Sequence, residues 1–383
     1  MLDASQLDEG WKELLSRIGS TVDLEATAKA SGALVRRREI KSAEDLLRLA
    51  LAYGPCGMSL RTVSSWAQTI GLAELSDVAA LKRLQASADW LQTIVGELLA
   101  CRLKYPSAAD KGRVIRLLDG TTISHPGSDR ADWRLHYSYD PRRGRTVDCQ
   151  LTTAREGEHL RRVKPTAGEL WVADRGYAKG EGLHHLVQGN ADFLVRVSWN
   201  SLSLRAGDGN PFDMAQRLES LGGADQAEWD AIAVTPNGHE VPLRLLVRRK
   251  PPEAVAREIK RITEKAARRG RTRRSGKPDP RSLIAAQFTI LATSLAEPAE
   301  QIFSLYSLRW QIEIAFKRLK SQLHIDRLQA KDDELARTWL LSHIIAALLI
   351  EDHADEALDS PPSAQGCAAY CATPLLATVQ YPA

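Results

Sequence analysis

RVIRLLDGTTI, residues 113–123, marks the point where the texture of the chain changes. It follows the breaker-rich stretch KYPSAADKG, is dense in apolar and β-branched residues, and predicts a strand. Asp119 stands inside this run, after several apolar residues, where an unpaired carboxylate is costly to bury. The Asp-Gly pair at 119–120 also reads as a plain turn. Toward the C-terminus, WRLHYSYD (133–140), RTVDCQLTTA (145–154), LWVADRGY (170–177) and DFLVRVSW (192–199) are further strand candidates, separated by Gly, Pro and Asp turns. AKGEGLHHLVQGN, between the last two, reads as a short helix. A three-strand meander, an irregular link, then strand, helix and strand predict a mixed sheet with helices on its faces.

Toward the N-terminus the period is helical. In WKELLSRI, AEDLLRLALAY and ALKRLQASADWLQTIVGELLACRL apolar residues recur at three and four, so residues 1 to about 104 read as helices. Within them SLRTVSSWAQTIGLAELSDVAALKRL starts at a candidate N-cap, Ser59, breaks at Gly71 and restarts behind Ser76. That is a helix-turn-helix outline, shared by DNA-binding domains and by many hairpins that bind none. Past residue 200, WDAIAVTP, EVPLRLLVRRK and AAQFTILATS are strand-like, but a basic block and RSGKPDPRS interrupt them, as in an insertion. Helices return from Pro298, and the stretch after DDELARTWLLSHIIAALLIEDHADEAL has no period and reads as a loosely ordered tail. WLLSHIIAALLI (339–350) is too short to span a bilayer and contains His343, so it reads as a buried helix.

A chain of 383 residues can hold two or three units with their own cores, and 44% hydrophobic with 26% charged residues excludes wholesale disorder. Cys56, Cys101, Cys149, Cys367 and Cys371 form no CxxC pair and lack histidines at zinc-finger spacing, which fits a reduced, intracellular protein. The opening MLDASQLDEGWKELL is acidic where a secretion signal is basic, so a cytoplasmic location is expected. Net charge is +4, yet residues 248–277 hold 13 Lys or Arg against three Glu, a local +10 that includes Arg268, Arg269 and Arg271. Such a block suits a phosphate backbone, whose neutralisation releases condensed counterions; the other reading is a solvated loop.

YSLRWQIEIAFKRLK (306–320) carries the most informative spacing. On a continuous helix with Tyr306 at zero, Arg309, Glu313 and Lys320 fall within a sector of about 60°. Leu308, Ile312, Phe316 and Leu319 fall on the adjoining arc and face a core. The polar seam then borders the buried face, where clefts form. The plain reading is a solvated helix, with Glu313 and Lys317 as an i, i+4 pair.

This Tyr-x2-Arg-x3-Glu-x6-Lys spacing, with the aspartates of RLLDGTT and VADRGY, resembles the DDE transposases of bacterial insertion sequences, in the insertion sequence family four group. The resemblance covers most of the chain. It implies an RNase H-like α/β core with one Asp on the first strand, a second at the end of the fourth and a Glu on the signature helix. Those are Asp119, Asp174 and Glu313 here, as catalytic residues and metal ligands. Their joint charge of −3 suits two divalent cations, Mg²⁺ or in its place Mn²⁺, that orient the oxygens of a phosphodiester. The resemblance also implies hydrolysis at transposon ends, a hairpin step and strand transfer into target DNA. Tyr306, Arg309 and Lys320 would grip the end phosphates, and two copies would pair as a homodimer on DNA, at the nucleoid.

The corresponding domains are an all-helical DNA-binding domain over 1–105, the first part of the catalytic core over 106–199 and a strand-rich basic insertion over 200–295. The signature helix follows over 296–330, and a short helical C-terminal region with a loose tail over 331–383. The brief region after residue 330 leaves an alternative, a truncated and catalytically impaired remnant that binds DNA or acts as an inhibitor. His136, Trp133 and Trp171 read as core or sheet residues. His184 and His185 diverge by about 100° on a helix and read as structural. For Trp199 and Trp310 buried packing is preferred over stacking on an unpaired base.

Overall fold

The structure, a computed structural model, describes residues 4–104, 113–270 and 276–359. Six helices come first: α1 (Ala4–Gly19), α2 (Leu24–Ala30), α3 (Ala43–Tyr53), α4 (Leu60–Thr69), α5 (Asp77–Gln85) and α6 (Ala88–Lys104). Their starts follow capping chemistry: Ser59 accepts from the Thr62 N–H and Ser76 from the Ala79 N–H, while Gly71, at φ 69°, turns the chain between α4 and α5. The helix-turn-helix outline is therefore present as a local structure.

The sheet follows. β1 (Val114–Ile123), β2 (Trp133–Asp140) and β3 (Arg145–Thr153) form an antiparallel meander. A 3-10 turn at Leu160–Arg162 leads to β4 (Glu169–Ala173), α7 (Gly180–Gln188) and β5 (Asp192–Arg196). β4 runs parallel to β1 and β5 parallel to β4. β6 (Leu204–Arg205), α8 (Met214–Ser220), β7 (Gln226–Val234), β8 (Glu240–Arg249), α9 (Pro252–Gly270), α10 (Pro280–Ala286) and β9 (Phe288–Thr293) come next. Among the described residues the nine strands form one sheet in the order β3-β2-β1-β4-β5-β9-β8-β7-β6. Its first five strands have the order and directions of an RNase H-like core. The strands of the 200–295 segment continue that sheet, because β9 pairs antiparallel with β5.

The central strands β4 and β5 are buried on both faces, which explains why they read as short apolar runs without alternation. Leu117, Leu170, Val172 and Leu194 point into one core, shared with α3, α6 and the C-terminal helices. Leu118, Trp171, Ala173, Phe193 and Val195 point into a second core, with α7 and α8. After β9 come α11 (Ala299–Ser307), α12 (Trp310–Gln322) and α13 (Asp333–Asp359). His343 and its apolar neighbours on α13 are buried, as expected of that stretch. Arg102 of α6, 4% exposed, ties the N-terminal helices to the rest: it donates to the Thr146 and Leu348 carbonyls and pairs with Glu351 and Asp352.

One expectation changes, and the loop offered as the other reading of the basic block gives way over residues 252–270. The signature stretch is not one helix but α11 and α12, joined by a tight turn at Leu308 and Arg309. There the bonds step back three residues, Leu308 N–H to Leu305 and Ile312 N–H to Arg309. Much of the basic block is helix rather than loop, since α9 runs from Pro252 to Gly270. The expected tail from residue 360 on lies outside the described residues. Among the described residues no helix is long and apolar enough to cross a membrane.

Candidate active site

Strand register brings the two aspartates together. β1 and β4 are parallel, with Leu118 opposite Ala173, so Asp119 and Asp174 are the next residues along neighbouring segments. Side chains alternate along a strand, so Asp119 shares the face of Leu117 and Asp174 that of Val172, both on the side where α12 packs. The plain turn reading of Asp119 does not hold, and Asp174 is no simple cap at the end of its strand. β1 continues to Ile123 past Asp119, so the Asp-Gly pair is no turn. Asp174 starts the Arg175–Tyr177 turn, but its side chain makes no capping bond.

The signature segment closes over these carboxylates. Ile312, Phe316 and Leu319 are buried and hold α12 against the sheet, while Leu308 is only partly buried. Arg309 donates to Glu313 at 2.5 Å and reaches Asp119 at 3.5 Å, so one guanidinium joins two carboxylates from distant parts of the chain. The Tyr306 hydroxyl lies 3.5 Å from Asp174. Lys320 lines an open cleft of about 670 Å³ together with Asp119, Glu313, Lys317 and Arg327. All six residues of the carboxylate and signature sets thus border one region, despite the turn at 308–309.

Burial drives the electrostatics. Desolvation pushes the Asp119 carboxyl up to about 6; the Gly120 N–H and Arg309 pull it down, and Asp174 and Glu158 push it further up. Tyr306 is raised too, first by burial and then by Asp174. Among the described residues no group of three or more His, Cys, Asp or Glu is spaced to hold a metal ion. The donors nonetheless fit a hard divalent cation in kind, since all are carboxylate oxygens. Two of them already share a positive group, which marks the point where a cation is favoured.

Next to Asp174 opens a basic cavity of about 600 Å³. Arg175, Arg196, Lys250, Arg261, Lys265 and Lys277 line it, with Trp199 on its wall. Burial first, then Arg196, brings the Lys250 ammonium down to about 8. Arg268 is exposed on α9 and does not line this cavity. Arg271 lies outside the described residues, as does the side chain of Arg269. Sequence reading passed over Arg175, Arg196, Lys250 and Glu158; only the charge density around Lys250 gave any signal.

The remaining candidates sort cleanly. His136, Trp133 and Trp171 are buried, as expected. His185 bonds the Val163 carbonyl at 2.9 Å and His184 stacks on His239, so the pair diverges into structural contacts. Trp199 is partly buried against the second core and donates to Ser282. Trp310 reverses the expectation: it is 63% exposed, because its wheel position lies opposite the Ile312–Phe316 arc.

The Transposase DDE domain family matches residues 110–349. A transposase for insertion sequence element IS421 from Escherichia coli is 42% identical over 368 residues, covering 94% of this chain and 97% of the relative. A transposase for insertion sequence element IS231F from Bacillus thuringiensis subsp. israelensis is 25% identical over 272 residues, covering 61% of this chain and 55% of the relative. A solved piggyBac transposase synaptic complex with hairpin DNA covers 88% of this chain and 72% of its own, with a TM-score of 0.43 and 11% identity.

Proposed function

The chain belongs to the DDE transposases of bacterial insertion sequences, enzymes that cut and join DNA with a divalent metal, and on that premise we propose that Asp119, Asp174 and Glu313 are its catalytic carboxylates. One observation carries the assignment: Asp119 and Asp174 follow paired residues on parallel strands, and Arg309 ties Asp119 to Glu313 above them. The three carboxylates would hold two Mg²⁺ ions, or Mn²⁺ in their place. When bound, such ions would supply activation of a water or 3′-hydroxyl and charge balance for the leaving oxygen.

The protein's own groups supply orientation. Burial of Asp119 and the Gly120 N–H, which donates to it at 2.8 Å, hold the first carboxylate in place. Arg309 holds Asp119 and Glu313 in register and offers a planar donor pair to a phosphate once they are otherwise neutralised. Tyr306 adds a hydroxyl donor, and Lys320 a point charge at the cleft wall. Beyond Asp174, the basic cavity and Arg268, exposed on α9, carry the DNA backbone away from the cut, with Arg269 and Arg271 added from the basic sequence block alone.

The helical domain over 1–105 recognises transposon ends, with the core over 106–199 and 296–330 and the insertion over 200–295. The C-terminal region over 331–383 pairs two copies as a homodimer on DNA, and the cut is followed by a hairpin step and by strand transfer into the target. The experiment is a cleavage assay with Mg²⁺ and DNA bearing the element's terminal inverted repeats. Glu313→Gln should still shift this DNA in a gel but leave it uncut. Cleavage by Glu313→Gln at the wild-type rate defeats the assignment.

A further inference from the structure

The loop between β3 and β4 brings a fourth carboxylate beside the site, and a glycine makes room for it. A Cβ on Gly176, two residues after Asp174, would lie 1.7 Å from Glu158 Oε2 and 2.8 Å from its Cδ. A Cβ on Gly120, beside Asp119, would lie 3.5 Å from Glu158 Oε1 and 3.7 Å from its Cγ. Gly176 has no positive φ, so what it provides is space for a close approach rather than backbone freedom, while at Gly120 the side chain of Glu158 lies at ordinary contact distance. Glu158 therefore sits against both backbone segments that follow the two aspartates.

It is also held there. Arg134 on β2 donates to Glu158 Oε1 at 2.5 Å, and the Lys179 ammonium donates to the Glu158 carbonyl at 3.1 Å. The side chain is 28% exposed, and Arg134 is 19% exposed, so the pair is less open than an ordinary surface bridge. The Tyr177 hydroxyl would meet the same Gly120 Cβ at 3.2 Å, closing the other side of the gap.

We propose that Glu158 is a positioning residue, a clamped side chain that locks the Asp119 strand to the Asp174 turn and sets the separation of the two carboxylates. The proposal rests on the assignment of Asp119 and Asp174 as the residues that hold divalent ions. Glu158 acts through them and is not itself a ligand. Its anchor is Arg134, and its seat is the bare Cα of Gly176.

The test is Mn²⁺ binding to the full-length protein, read from the paramagnetic resonance signal of free Mn²⁺, with binding to transposon-end DNA as the check on folding. Glu158→Ala should weaken Mn²⁺ binding about tenfold or more, the range typical of residues that orient ligands. Glu158→Gln keeps the shape and an oxygen for Arg134, and should stay within about threefold of wild type. Gly176→Ala forces the carboxylate off its seat, so it should match Glu158→Ala, and the double variant should be no weaker than either single one.

Wild-type affinity in Glu158→Ala overturns the proposal. So does a Glu158→Gln as weak as Glu158→Ala, which would make the carboxylate a ligand, or an additive double variant. Asp119→Asn and Asp174→Asn separate this from the parent assignment. If they lose the ion while Glu158→Ala keeps it, only the Glu158 role falls; if they keep the ion, both fall.

Discussion

Replacing Asp119 with Asn removes a charge that the fold resists. Burial moves this carboxyl from 3.8 to about 6 despite the Gly120 N–H and Arg309, and Asp174 and Glu158 add to the rise. An acid with a raised value in the folded state binds its proton more tightly there than in the unfolded chain. Its favourable contribution is complete below about pH 3.8 and is lost as pH climbs through about 6. Above that, ionised Asp119 costs the metal-free protein about 3 kcal/mol, at roughly 1.4 kcal/mol per unit. Asn keeps the shape, and its oxygen still accepts the Gly120 N–H. In urea denaturation with a chelator, Asp119→Asn should be about 2 to 3 kcal/mol more stable than wild type at pH 7.5, converging toward wild type near pH 4. Saturating Mn²⁺ should then stabilise the wild type and not the variant if Asp119 is the ligand proposed above. A variant less stable at pH 7.5, or a gap that does not change with pH, refutes the reasoning.

Three other substitutions probe the frame. Arg102→Ala leaves Glu351 and Asp352 without their buried partner, and should cost about 3 to 5 kcal/mol in urea denaturation, with the helical domain loosening from the sheet. His343, brought down to about 4 by burial, is neutral in the fold and contributes stability that is present above pH 6.5 and lost as pH falls toward 4. His343→Leu should remove about 3 kcal/mol of that pH dependence, read as a flatter stability profile over this window. Trp310→Ala should change stability by less than about 0.5 kcal/mol, since the ring is exposed, and weaken end-DNA binding in a gel shift.

Sequence carried further for elements than for their meeting points. β2 was legible to the residue, because Gly, Pro and Asp flank a run buried on both faces. The turn at Leu308–Arg309 was not, since no Gly or Pro marks it and a shift to three-residue bonds leaves the composition unchanged. β6 has two residues, too few to show a period. The face of each aspartate follows from strand parity, but the register that sets Leu118 against Ala173 joins residues over fifty positions apart and leaves no local trace. Glu158 stands in the link between β3 and β4 with no pattern around it, and only Gly176, two residues after Asp174, hints at what it fills. For Trp310 the helical angle was the better guide than the usual burial of tryptophan.

The central claim is that three carboxylates from β1, the end of β4 and α12 share bound divalent ions. Affinity cleavage tests it directly: Fe²⁺ replaces Mg²⁺, ascorbate and peroxide generate hydroxyl radicals at the bound ion, and the chain is cut beside its ligands. Three cut regions, around Asp119, Asp174 and Glu313, all suppressed by excess Mg²⁺ and by Asp174→Asn, are the predicted result. Cuts confined to other segments, or a pattern that survives Asp174→Asn, would contradict it.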